Sequence, residues 1–309
     1  MTARVDQRHG QADGLGSAAL RLSRVMLYIG WTFGLMPIQG IGLWLHRPWS
    51  ATLPAFYHRG CCRILGFNLR TIGVPTATRP VLFASNHVSY TDITVLGALI
   101  IGSFVAKTEV AGWPLFGWLA KLQRTVFVDR RVRSTRAQRE AMVARLAAGD
   151  ALILFPEGTS SDGNHVLPFK SALFSAAEVA CAAGPIAVQP VSIAYTRLDG
   201  MPLGRLLRPF FAWYGSVELA PHLWTMLGLG AVEVVVEFHR PTSFGECGSR
   251  KALARYCETH VAGGMAAALA GRPQPVPLPP NGGPASPEPA GAMARWDGDS
   301  LHVKRGLRT

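Results

Sequence analysis

The sequence predicts an α/β protein: a mixed, largely parallel sheet covered by helices, preceded by a membrane-embedded N-terminal helical segment. Three observations lead there. A charge-free apolar run lies near the start, short apolar strands recur from residue 80 to residue 240, and Ala-rich helical stretches fill the intervals between them.

Residues 1–20 are polar and Gly-rich, without the basic start and apolar core of a signal peptide, and are expected to form a flexible N-terminus. Residues 21–70 are expected to be a membrane-associated helical segment. From Val25 to Leu45 no charge interrupts the chain, which matches the roughly 20 apolar residues needed to cross a bilayer. Pro37 and several glycines break the run, so a kinked pair of helices, embedded in one leaflet or re-entrant, fits at least as well as a spanning helix. Arg21 and Arg24 precede it, Arg47, Arg59 and Arg63 follow it, and Trp31, Trp44 and Trp49 bracket it as interfacial anchors would.

Residues 71–270 are expected to form the folded domain. Pro80–Ala84, Phe104–Ala106, Thr125–Val128, Ala151–Phe155, Ile186–Ala194 and Ala231–Phe238 read as strands, several apolar throughout as in a sheet covered on both faces. Ser134 is a good N-cap for a helix ending at Gly149, Phe169–Ala183 reads as a second helix closed by Gly184, and a final helix spans about Ser249–Ala270. Beyond Gly271, eight of the chain's 22 prolines fall between Arg272 and Ala290, so residues 271–309 are expected to be a Pro/Gly-rich disordered tail.

Composition narrows the function classes. The 31 Lys+Arg exceed the 19 Asp+Glu by 12, yet charged residues are only 16% of the chain, against roughly 25% in an ordinary soluble domain. The low charge implies a membrane or a large apolar ligand, and the basic excess has three readings that composition does not separate: nucleic acid, an anionic membrane surface or an acidic substrate. The basic residues are scattered and not interleaved with aromatics, which argues against a nucleic-acid partner. Five cysteines without pairing or ligand spacing imply free thiols in a reducing compartment. No His or carboxylate group has metal-ligand spacing and no Gly-rich loop follows a strand, so no metal and no nucleotide cofactor is expected.

The chemistry concentrates at two strand ends. The strand at Val81–Ala84 runs into S-N-H-V-S-Y-T-D, residues 85–92, and then into an apolar helix. Ligands bind at such carboxyl ends in open α/β sheets. His87 and Asp92 are five apart, about 140° around a regular helix, and meet only if His87 lies before the first turn. Asp92 then holds one imidazole nitrogen and leaves the other to take a proton. Ser89-x-x-Asp92 is also a capping box, which needs no catalysis. The second strand end, F-P-E-G-T at 155–159, places Glu157 in a tight turn where a buried carboxylate must be hydrogen-bonded or useful. Cys61 and Cys62 lack an activating partner; His165 and Lys170 lie in or just after a polar loop beside this turn.

Taken together, these segments resemble the phospholipid and glycerol acyltransferase family, that of the 1-acylglycerol-3-phosphate acyltransferases. N-H-V-S-Y-T-D is similar to the family's first block, R-T-V-F-V-D-R (124–130) to its second with Arg124 in place of the usual leading Gly, F-P-E-G-T to its third and V-Q-P-V-S-I (188–193) to its fourth. The resemblance covers about residues 80–240 and implies a direct acyl transfer from a thioester, acyl carrier protein or acyl-CoA, to a lysolipid hydroxyl at the bilayer. It implies His87 as general base and Asp92 as its orienter, with substrate contacts at Lys107, Arg130, Glu157, Gly158 and Thr159. It also implies a cytoplasmic-face, inner-membrane location. The third block usually continues with an arginine where this chain has Ser160, and a serine cannot replace a guanidinium against a phosphate. Together with A-K-T-E-V-A-G-W-P-L-F-G (106–117), this is similar to the branch that acylates lyso-ornithine lipid. Lysophosphatidic acid is the alternative acceptor, because Arg130 and Lys107 also suit a phosphate. A non-catalytic lipid-binding adaptor is the alternative of another class, and it has no need for a paired His and Asp.

Overall fold

A computed structural model describes residues 16–128, 135–179 and 184–272. Helix α1 spans Ala18–Trp44 and α2 spans Leu53–Leu65, followed by strands β1 (Phe67–Ile72) and β2 (Val81–Ser85). Next come α3 (Thr91–Leu99), β3 (Ser103–Lys107), α4 (Phe116–Leu122) and β4 (Val126–Val128). The chain continues with α5 (Thr135–Ala147), β5 (Ala151–Leu154), β6 (Ala187–Leu198), β7 (Met201–Pro202), α6 (Leu219–Leu227), β8 (Val232–Phe238), β9 (Thr242–Ser243) and α7 (Arg250–Leu269).

The sheet runs β1-β8-β6-β2-β5-β3-β4, with β7 and β9 each pairing β6. The pairs β1/β8, β6/β2, β2/β5, β5/β3 and β3/β4 are parallel, and β6/β8 is antiparallel. The central strands are buried on both faces because their residues alternate between two cores. Phe83 and Ile153 face a core shared with Val95 and Leu96 of α3; Leu82, Leu152 and Leu154 face another, shared with Leu146 of α5 and Leu253 and Val261 of α7. Pro190 lies inside β6, between the Val188↔Thr242 pairing and the Val191↔Phe238 pairing, where one partner strand gives way to the next.

Four elements depart from the sequence reading. The run at 25–45 is one continuous helix with Pro37 inside it, and its partner helix is α2. Gln39 Nε2 secures the turn after the proline by donating to the carbonyls of Ser50 (2.9 Å) and Leu122 (3.0 Å). Arg21 and Arg24 turn into the protein. They are buried at the end of α6, where Arg24 donates to the carbonyls of Leu227, Leu229 and Gly230, the group a helix C-terminus favours. Trp31 packs inward over Gly60 and donates to the Tyr57 carbonyl, leaving Trp44 and Trp49 as the exposed members of the three. Lastly, the helix expected at Phe169–Ala183 is a 3-10 stretch at Ser171–Glu178, its start held by Lys170 N donating to the Pro156 carbonyl. Ser134, the expected N-cap of α5, and most of the two expected tails lie outside the described residues.

Helix α1 is long and apolar enough to cross a membrane by length and composition. Leu22, Met26, Ile29, Phe33, Ile41 and Trp44 form an exposed stripe at helical spacing, while the opposite side packs on α2, α4 and α6.

Candidate active site

Parallel strands put their carboxyl ends on one edge, so the segments after β2, β3 and β5 converge there. His87 follows β2 before α3 begins. Its Nδ1 donates to Asp92 Oδ2 at 2.9 Å, and its ring, 20% exposed, stacks on Phe155 with centroids 4.1 Å apart. Because the partner is a carboxylate, Nδ1 carries the proton and Nε2 the lone pair. Asp92 is fully buried, and Oδ2 also accepts from Val88 N (2.6 Å) and Ser89 N (2.9 Å). One carboxylate thus ties the loop before α3 and holds the imidazole, while the N-cap position of the helix is Tyr90, which makes no side-chain cap hydrogen bond. Ser89 Oγ, the other half of the expected capping box, is buried without a hydrogen-bond partner among the described residues.

The turn after β5 grips the histidine from behind. Glu157 is 1% exposed, with Oε1 accepting from His87 N at 2.9 Å and Oε2 from Leu167 N at 3.2 Å. Ser161 N donates to the His87 carbonyl at 2.8 Å, so both main-chain groups of His87 are held by this one turn. Burial pushes the Glu157 carboxyl up to about 8, against the pull of its two N–H donors. Gly158 takes a φ of +70°, which closes the turn through its N–H to the Phe155 carbonyl.

The remaining sequence-derived residues distribute as follows. Lys107 ends β3 and is exposed, and Thr159 is exposed on the turn, both at the carboxyl edge. Arg130 lies outside the described residues. The Ser160 hydroxyl donates to the Trp213 carbonyl, fastening the 203–217 segment to the turn. Cys61 and Cys62 are core residues of α2, and burial pushes the Cys61 thiol up to about 12, which excludes both as nucleophiles. His165 pairs with Asp162 on the exposed loop. Among the described residues no cluster of His, Cys, Asp and Glu is arranged to hold a metal.

Three contributors escape a reading by motif. Phe155 supplies the face on which His87 stacks. Asn86 stitches the loop to β6, its side chain exchanging hydrogen bonds with Ile193 N (2.8 Å) and the Ile193 carbonyl (2.9 Å). Tyr195 donates its hydroxyl to Asp92 Oδ1 at 2.9 Å from the interior of β6.

A histidine held by a buried carboxylate stands at the carboxyl edge of a covered sheet, and the chain belongs to the acyltransferase family. The family model described as Acyltransferase matches residues 68–194. The chain is 47% identical over 255 residues to a lyso-ornithine lipid O-acyltransferase of Brucella abortus (strain 2308), covering 81% of this chain and 96% of that protein. It is 33% identical over 198 residues to a 1-acyl-sn-glycerol-3-phosphate acyltransferase of Neisseria meningitidis serogroup B, covering 63% and 73% respectively. The fold matches the crystal structure of the 1-acyl-sn-glycerophosphate acyltransferase of Thermotoga maritima with a TM-score of 0.58 at 22% identity, over 80% of this chain and 94% of that one. The chain is therefore an enzyme, and the adaptor reading is set aside.

Proposed function

We propose that the protein transfers a fatty acyl chain from a thioester to the free hydroxyl of lyso-ornithine lipid, with acyl carrier protein or CoA as the leaving group. The observation that carries the mechanism is the His87–Asp92 pair, with Nε2 left as the base at an accessible strand end. As the lipid oxygen attacks the thioester carbonyl, Nε2 takes the hydroxyl proton. The tetrahedral intermediate then expels the thiolate, which receives that proton, and the ester is formed. Proton removal from so weak an acid contributes on the order of a hundredfold or more. The acceptor assignment is supported by the names of the relatives at 39–47% identity and by Ser160, whose hydroxyl is engaged with Trp213 where a phosphate-binding arginine would otherwise stand.

Lys107 and Thr159, and Arg130 after β4, are assigned to the acceptor head group. Glu157 and Gly158 act from behind, shaping the loop that carries the base. The α1 stripe is assigned to the cytoplasmic leaflet of the inner membrane. Arg24 pins one end of the helix and Gln39 the other, so the helix lies along the domain and feeds lipid laterally to the site.

Purified full-length protein offered acyl carrier protein or CoA thioesters with each lysolipid tests the reading. Efficient transfer to lyso-ornithine lipid, with little to lysophosphatidic acid, is expected. The reverse preference overturns the acceptor assignment and retains the transfer chemistry.

A further inference from the structure

Asp92 is a buried carboxylate with two oxygens. Oδ2 is taken by His87 Nδ1 and two main-chain N–H groups; Oδ1 receives Tyr195, which is 3% exposed and cannot touch substrate. The tyrosine oxygen also lies 2.7 Å from Thr91 Oγ1. Its proton goes to the carboxylate, the stronger acceptor, so the threonine hydroxyl donates to the tyrosine oxygen. The rings around the pair fix it in place. Tyr195 stacks on Phe211 at 6.1 Å with planes 8° apart and meets Phe67 edge-on at 6.1 Å.

We propose that Tyr195 is a positioning residue of the transfer reaction, and that Thr91, Tyr195 and Asp92 form one hydrogen-bonded chain that sets the orientation and basicity of His87. The proposal rests on His87 being the general base. A carboxylate that received only the Oδ2 donors would be held through one oxygen, able to tilt about that point, and the imidazole would tilt with it. Donation into Oδ1 locks that tilt. It also draws charge away from Oδ2, which moderates how strongly Asp92 favours a protonated imidazole. Burial raises the tyrosine's own ionisation well above its ordinary value, so it stays a donor at any working pH. The other ionisable groups facing the chain are Glu157, from the turn after β5, and Cys62, from α2.

Tyr195→Phe in the full-length enzyme tests this. The substitution keeps the ring and its stacking and removes one oxygen. We expect kcat to fall roughly tenfold to a hundredfold with KM for both substrates within about twofold, because a hydrogen bond to a charged group is lost away from the substrates. With Oδ1 unpaired, Asp92 attracts the imidazolium more strongly, so the acidic limb of the kcat/KM profile moves to higher pH. In an Asp92→Asn background the same change should cost less than about twofold, since it acts through Asp92. Thr91→Val should shift the limb the same way by a smaller amount, and it serves where Tyr195→Phe fails a near-UV circular dichroism check. An unmoved limb in the folded variant, or an equal loss in both backgrounds, overturns the proposal. His87→Ala separates the two readings: if it stays active, the general base itself is misassigned.

Discussion

Glu157 couples the turn after β5 to the base, and Glu157→Gln exposes that coupling in two observables. The carboxyl has ordinary acidity when unfolded, 4.5, and about 8 in the native chain. Its nearest acids, Asp92 and Glu258, push in the same direction as burial. The folded state therefore keeps a proton that the unfolded state releases. Stability tied to that proton is fully present below about pH 4.5 and is lost as pH rises through about 8. A difference of that size is worth on the order of 5 kcal/mol across the window. For a domain of this length it lowers Tm by roughly 10 °C or more between pH 5 and 8. Glutamine cannot titrate, so its melting curve should lack this decline. It also turns an NH2 toward one of the two donors, His87 N or Leu167 N, at a cost of about 1–3 kcal/mol. Calorimetric scans of both proteins in half-unit pH steps give the answer. Parallel Tm-against-pH lines would refute the argument that Glu157 titrates in this interval.

Further outcomes follow from other contacts. His87→Ala should lower the melt modestly, through the lost donor to Asp92 and the lost stack on Phe155, and reduce transfer to below about 1%, measured with labelled thioester. Asp92→Asn should lower both activity and stability, by more than the roughly 1 kcal/mol of a simple cap, because three donors besides the imidazole lose their charged acceptor. Ser160→Arg should raise the rate with lysophosphatidic acid relative to lyso-ornithine lipid by about tenfold, and an unchanged ratio would detach Ser160 from acceptor choice. Met26→Ser with Phe33→Ser should release the protein from vesicles in a flotation assay while sparing the melt, since both residues are exposed. Arg24→Ala should do the opposite, costing about 2 kcal/mol through three unmet carbonyls without changing flotation.

The strands and the convergence of their ends were readable from sequence because apolar runs of strand length, separated by helices, leave few sheet topologies open. The His87–Asp92 contact was readable for a local reason: both residues belong to one loop–helix junction. What sequence could not convey was direction. Arg21 and Arg24 look like membrane flanks until α6 ends against them, and Glu157 looks like a pocket residue until His87 N and Leu167 N take its oxygens. Strand β1 was missed because Asn68, Arg70 and Thr71 dilute its apolar pattern at a sheet edge. The Ala-rich 169–183 stretch misled for the converse reason, local propensity yielding to anchors at Lys170 N and Phe169 N. Tyr195 sits in an apolar strand like any core aromatic, and only the β2/β6 pairing brings it to Asp92.

The grip on His87 has a bearing on synthesis. Helix α1 leaves the ribosome early and carries what is needed to settle on a bilayer, but the main chain of the base is clasped by Glu157 and Ser161, and Asp92 is backed by Tyr195. A nascent chain that ends before Glu157 lacks both clasps on the main chain of His87, and one that ends before β6 still lacks Tyr195 behind Asp92. The shorter chain therefore holds its histidine with no fixed aim. The aim of the base is completed late in the chain, when the central strands close over the loop.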